Sequence, residues 1–237
     1  WRAPTDNDMY IKAEWKKAQY DKAYTRAYTT EVVQGKHGVK ITSHASVVAE
    51  TVQKILDVTI TWKIEAAGKI DADIAVTKDD EFPDLPRFGV RMFLDKKLSA
   101  VRYFGMGPQE SYCDKHQAAS HGLYRADVGD LHEDYIRPQE NGSHYDCEYV
   151  ELNNSRYGIV ASAEKAFSFN ASYYTQEELE KKTHNYELIE SDSVVFCVDY
   201  ALNGIGSNSC GPVVLDQYRF DDVLFRFQFT LIPYVKG

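Results

Sequence analysis

The chain has 237 residues, 43% hydrophobic and 27% charged, the balance of an ordinary folded domain with room for a full core. Thirty-six acidic against twenty-seven basic residues leave a net charge of −9, which argues against a nucleic-acid partner or an anionic-membrane patch. No apolar run approaches the roughly 20 residues of a membrane helix, no signal-peptide pattern is visible, and a start at Trp1 reads as a piece of something longer.

Taken in chain order, Tyr10 to Tyr24 carries the first helical pattern, with Ile11, Trp15 and Ala18 on one face. Val39–Ser43 is a short strand candidate. Leu56, Val58, Ile60, Trp62 and Ile64 alternate with polar residues, which predicts a strand with one wet face. Ala66-Ala67-Gly68-Lys69 turns the chain, and Ile70, Ala72, Ile74 and Val76 alternate again, so the two form an antiparallel hairpin. Phe88–Leu94 follows two proline breakers. Tyr103–Glu148 reads as mostly irregular, with short strands at Cys147–Leu152 and Gly158–Ala163. Phe167–Tyr173, Val194–Tyr200 and Val223–Leu231 are further strands. Thr175-Gln176-Glu177-Glu178 is a capping pattern that opens a turn or two of helix. Asn203–Tyr218 is a second long irregular stretch. No βαβ alternation exists, so the architecture is all-β, a large antiparallel β-sandwich.

Irregular stretches of this length are usually functional or interface-forming. Trp1-Arg2-Ala3-Pro4-Thr5-Asp6-Asn7-Asp8 packs an arginine and three amide or carboxylate groups together, suited either to sugar hydroxyls or a cation, or to a capped turn. Gly105-Met106-Gly107-Pro108-Gln109-Glu110 is either a structural corner or a rim. Pro138-Gln139-Glu140-Asn141-Gly142 contains a tight-turn signal. In Asn203–Pro212, small residues and three glycines let a ligand or another backbone come close, with Cys210 at the tip. No Cys-His signature surrounds Cys210, so a catalytic thiol is disfavoured against a plain reduced one. His116, His121 and Asp114 lie within eight residues, but surface polarity explains them more simply than a metal site. No Ser-His-Asp grouping or nucleophile elbow is present.

In this order the motifs Trp-Arg-Ala-Pro-Thr-Asp-Asn-Asp, Gly-Met-Gly-Pro-Gln-Glu-Ser-Tyr, Pro-Gln-Glu-Asn-Gly, Phe-Ser-Phe-Asn-Ala-Ser and Gly-Ile-Gly-Ser-Asn-Ser-Cys-Gly-Pro occur from Trp1 to the last strand. The chain thereby resembles the C-terminal domain of bacterial β-galactosidases of glycoside hydrolase family 2. The resemblance implies a supersandwich similar to the galactose mutarotase fold, spanning residues 1–237 as one domain and lacking its first strands. It implies that the catalytic glutamates lie upstream, in a TIM-barrel domain or separate large subunit, together with the magnesium and sodium sites, so no catalytic residue or metal is expected in this chain. It implies a galactoside substrate, a homo-oligomeric full enzyme, and the bacterial cytoplasm, with the periplasm as the alternative.

By the same resemblance Cys210, with Asn208 and Ser209, stands on the loop where well-studied members place a tryptophan platform for the glucose side of lactose. Arg2, Asp6, Asn7 and Asp8 lie near the active site, while Gln109, Glu110, Gln139, Glu140 and Asn141 serve mainly in packing. The loop after Asp8 is shortened relative to those members. A stand-alone carbohydrate-binding module and, further off, a mutarotase-like aldose epimerase are the competing readings.

Overall fold

The computed structural model describes residues Trp1–Lys236. In chain order its elements are α1 (Ile11–Lys17), β1 (Tyr24–Gly35), β2 (Gly38–Ala49), β3 (Val52–Glu65), β4 (Ile70–Lys78), β5 (Arg87–Asp95), β6 (Ala100–Gly107), β7 (Ser120–Asp127), β8 (Ser143–Asn153), β9 (Tyr157–Ser172), α2 (Gln176–Lys181), β10 (Ser193–Leu202) and β11 (Leu224–Val235). All strand pairs are antiparallel, in the order β1-β2-β3-β4-β11-β9-β8-β6-β7, with β10 on β9 and β5 on β10. The all-β sandwich read from the alternation is the fold found.

One strand organises the two layers. β8 runs along one edge of β9 from Ser143↔Asn170 to Asn153↔Gly158. Along the other edge β9 meets β11 up to Ser162, then β10 from Ser168 onward. The sheet therefore forks: one branch continues through β11 to β1, the other through β10 to β5. The branches face each other across aromatic contacts. Phe88 of β5 meets Phe225 of β11 edge-on at 5.0 Å, and Tyr200 of β10 stacks on Phe225 at 4.8 Å. Phe167, Phe169, Phe196 and Val198 fill the layer between, each at most 2% exposed.

The hairpin of β3 and β4 has the register its alternation demands, with Val58 opposite Val76 and Trp62 opposite Ala72. Its turn places Gly68 at φ 95°, where a side chain would be strained. Val58 is buried, but Ile64 at the far end is exposed, because β3 outruns the core. The helical pattern yields only α1. Gln19 adopts left-handed φ 56° just after it, so the chain leaves the helix before Tyr24. Trp15 of α1 is fully buried and donates its indole N–H to Asp84 O at 2.9 Å.

Three segments differ from the sequence reading. β1 was not anticipated: every residue in it is exposed, so no buried face imposes alternation, and pairing with β2 alone makes it a strand. The stretch 103–148 contains the end of β6, all of β7 and the start of β8. β7 turns Gly122, Tyr124 and Ala126 inward and Leu123 outward, an order that hides its period. The candidates at 158–163 and 167–173 fuse into β9, whose register against β8 shifts across exposed Glu164 and Lys165.

His144 of β8 is 1% exposed and lies between the rings of Tyr103 and Phe169, at 4.5 and 5.0 Å. Burial pushes its pKa down to about 4. The unfolded ring takes its proton near the ordinary value, so the unfolded chain binds more protons across this window and stability falls as pH falls. We expect urea titrations to show this residue removing about 2 kcal/mol between pH 7 and pH 5, a slope that His144→Gln abolishes.

Candidate functional site

The N-terminal eight residues form a strap that ends in a 3-10 turn, Asp6–Met9, capped by Thr5 and Asp8. Asp8 is fully buried, and so is Arg2. The Arg2 guanidinium donates to both Asp8 oxygens at 2.8 and 3.0 Å. The backbone N–H of Thr5 donates to Asp8 Oδ2 at 2.7 Å, and its hydroxyl to the same oxygen at 3.1 Å. Two charges taken out of water are tolerated only with this degree of pairing. Below, the guanidinium lies 5.2 Å from the centre of the Trp15 ring.

The same pair reaches across about 200 residues of sequence to the loop after β10. Arg2 Nη1 donates to Asn203 O at 2.5 Å, and the Ser207 hydroxyl donates to Asp8 Oδ1. Asn7 Nδ2 donates to Ile205 O at 3.1 Å, and Ser209 Oγ donates to Asn7 Oδ1 at 3.1 Å. From the other side, the Asp114 carboxylate accepts the N–H groups of Ile205 and Gly206 at 3.0 and 2.8 Å. A Cβ on Gly204 would stand 2.8 Å from that carboxylate, so only glycine permits the approach. The third motif joins the cluster: Gln139 Oε1 accepts from Asp6 N at 3.0 Å, and Glu140 N donates to Ala3 O at 3.2 Å.

Beneath this cluster lies a second buried ion pair. Arg87 grips Asp199 through Nε at 2.9 Å and Nη2 at 2.7 Å. Glu140 Oε2 is 3.7 Å from Arg87 Nη1. Burial pushes the Glu140 carboxyl above its ordinary range, opposed by the nearby Arg87 and Arg2 charges.

The surface these bolts support is small and polar. Asn208 turns the loop at left-handed φ 73°, a conformation asparagine tolerates. Cys210 is exposed, and the hydroxyl of Ser209, at 3.9 Å from its sulfur, is its hydrogen-bonding neighbour. The thiol thus lacks the paired base that a nucleophilic cysteine requires. The other three cysteines are also unpaired. Among the described residues no three His, Cys, Asp or Glu side chains converge as metal ligands. Asp114, His116 and His121 part company: His116 bonds Tyr112 O and His121 bonds Asp146 O. No described helix is long and apolar enough to cross a membrane.

The model of the family described as "Beta galactosidase small chain" matches residues 1–231. The chain belongs to that family. It is 48% identical to a beta-galactosidase of Actinobacillus pleuropneumoniae and 36% identical to one of Staphylococcus xylosus, in each case over 98% of this chain and 23% of the relative. A beta-galactosidase of Kluyveromyces lactis is 32% identical over the same shares. The chain thus spans under a quarter of the length of these relatives. Among solved structures, a GalM/aldose epimerase homologue from C. elegans aligns over 88% of this chain and 69% of its own at TM-score 0.42 and 8% identity, too distant to carry an argument.

Within this small-chain domain the structure brings the two predicted groups together. Asp6, Asn7 and Asp8 abut the loop bearing Asn208, Ser209 and Cys210. Their roles divide: Arg2 and Asp8 are buried fastenings, whereas Asp6, Asn7, Ser209 and Cys210 reach the surface. Gln139, read as packing, is tied to Asp6. Three participants were missed. Ser207 sat unremarked in a noted loop, Asp114 was weighed only with the histidines, and Arg87 has no local signal because its partner is 112 residues away.

We expect Asp8→Ala to lower the stability of the chain by about 3–5 kcal/mol, since it strands the Arg2 charge in the interior. Ser207→Ala removes one charge-assisted bond and costs about 1–3 kcal/mol. Urea midpoints measure both, and faster amide exchange at 204–210 in either variant reports the loosened loop.

Proposed function

We propose that this chain is the C-terminal, non-catalytic sandwich of a retaining β-galactosidase that cleaves terminal β-D-galactosides such as lactose. On this reading the acid/base and nucleophile glutamates lie in an upstream barrel domain or large subunit, together with magnesium and sodium ions. The chain supplies one wall of the active-site mouth. The observation that carries the reading is the pairing of a rigid back with a polar front: Arg2, Asp8 and Asp114 fasten the 203–210 loop from behind, while Asn7, Asn208, Ser209 and Cys210 face outward. A preorganised rim whose thiol has no paired base suits positioning rather than chemistry. With a thiol instead of an indole, the sugar on the leaving side is held by hydrogen bonds with Asn208 and to the Ser209 hydroxyl oxygen rather than by stacking. We assign the full enzyme to a homo-oligomer in the bacterial cytoplasm.

We infer also that residues 1–237 form one sandwich domain completed by upstream chain. β5 pairs only with β10 among the described residues, and its other edge borders a groove of about 500 Å³ against β2, β3 and β4. Val58, Trp62, Phe88 and Val90 line it. An open edge beside apolar side chains is a natural place for one further strand.

Two experiments test these statements. The purified chain alone, at high concentration, is expected to show no hydrolysis of an aryl β-galactoside, whereas the full-length enzyme turns it over. Activity of the chain alone that survives repurification overturns the proposal. For the domain, a version extended at its N-terminus is expected to have a higher urea midpoint and a steeper slope, the signature of additional buried surface. Equal values for the two would show that the groove is not filled from upstream.

A further inference from the structure

The fork in the sheet leaves a gap. β9 pairs with β11 as far as Ser162 and with β10 from Ser168, so residues 163–167 meet neither on that edge. Backbone N–H and C=O groups in such a gap seek other partners. The gap opens into a pocket of about 290 Å³, floored by residues 166–168 and walled by the end of β10 and by residues 217–222, which lead into β11. That volume lies at the small end of ligand pockets and suits a single sugar ring.

Six aromatic side chains line the pocket: Tyr112, Tyr145, Phe167, Tyr200, Tyr218 and Phe220. Two are held in place from behind. Tyr200 stacks on Phe225 at 4.8 Å, and Tyr145 stacks on His116 at 5.7 Å. Rings fixed in advance lose little freedom when a ligand arrives. Polar groups stand beside them. Among the described residues, the phenol oxygens of Tyr145, Tyr200 and Tyr218, the Gln217 amide and the Asp222 carboxylate make no hydrogen bond to the protein. The Asp146 carboxylate has only a 4.0 Å contact with His121. Arg219, the one cation on the wall, is already engaged by Asp84 at 2.8 and 3.0 Å. Burial, with neighbouring Asp221, pushes the Asp222 carboxyl up.

Flat faces for C–H groups with free acceptors around them are what a neutral sugar requires. Two carboxylates and no free cation disfavour a phosphate or an acidic ligand. We propose that this pocket is a saccharide-binding site that holds one neutral hexose unit. The hexose lies against Tyr145 and Tyr200, its hydroxyls donate to Asp146 and Asp222, and Gln217 exchanges hydrogen bonds with it. Tyrosines and carboxylates also suit an organic cation, so the choice of a sugar rests on the glycosidase reading above.

The test uses the full-length enzyme that contains this chain. Crystals are soaked in D-galactose, and binding of the same sugar in solution is followed by saturation-transfer NMR. The expected result is a hexose in the pocket. In Tyr145→Ala and Gln217→Ala the affinity of that site falls about tenfold, the worth of one ring or one well-placed hydrogen bond. Turnover of an aryl β-galactoside stays unchanged in both. Gln217 is exposed, so its replacement leaves the fold intact. A pocket empty in the soaked crystals, with both variants binding as the parent does, overturns the proposal, and so does occupancy by tetramethylammonium in place of the sugar. A hexose in the pocket of an enzyme that lacks galactosidase activity would sink the glycosidase reading while leaving the site standing.

Discussion

Arg2 and Asp8 form a buried ion pair, and the arrangement of the candidate site depends on it. Neither charge reaches water. Each would cost several kcal/mol to bury alone, so the pair is acceptable only because Asp8 also accepts from Thr5 and Ser207, and Arg2 also donates to Asn203 O. Those same partners belong to two chain segments far apart in sequence. The requirement to satisfy two buried charges thus fixes where the N-terminal strap and the 203–210 loop stand relative to each other. A loop of small residues and glycines would otherwise have many conformations available.

The second constraint is topological. β9 is shared between two branches of sheet, and the fork both encloses the aromatic core and creates the openings at its ends. Arg87 on β5 and Asp199 on β10 join the strands of the shorter branch next to the strap, and Glu140 approaches Arg87 from the 137–141 segment. The strap, the turn and the branch end therefore share one buried polar cluster, which couples the rigidity of the rim to the packing of the sandwich. Beside the same loop, where Gly204 N donates to Tyr218 O, the gap in the fork leaves tyrosine hydroxyls uncommitted. Structure and surface chemistry are thus divided by what the branches leave uncovered.

Acids are abundant in the sequence, and several beside the rim are engaged by donors, Asp8 by Arg2, Asp114 by two backbone N–H groups, and Glu110 by Lys115, Tyr135 and Gly142 N, whereas Asp6 stays exposed. A carboxylate held by several donors serves as a fastening. The chain belongs to the small-chain family, and its relatives are about four times longer.

Period-2 alternation in β3, β4 and β11 was enough to identify an antiparallel sandwich, because each of those strands has one face against the core, while β10 is buried on both faces. Five ordered motifs were enough to place the chain in its family. What alternation could not reveal was β1, which buries nothing, and β7, whose inward face is glycine, tyrosine and alanine. The ranges of α1 and β9 were likewise decided by neighbours: Gln19 turns left-handed beyond the helix, and β8 pairs with β9 on both sides of a bulge that holds two charged residues. At the site, the sequence determined which residue types were present, Arg2, Asp6, Asn7 and Asp8 in one stretch and Asn208, Ser209 and Cys210 in another. Only the tertiary structure decided that they meet, that Asp8 is spent on Arg2 and Ser207, and that Asp114 and Arg87 belong beside them. The physical reason is that local pattern records which face of a strand is dry, whereas a buried charge finds its partner wherever the fold brings one within hydrogen-bonding reach.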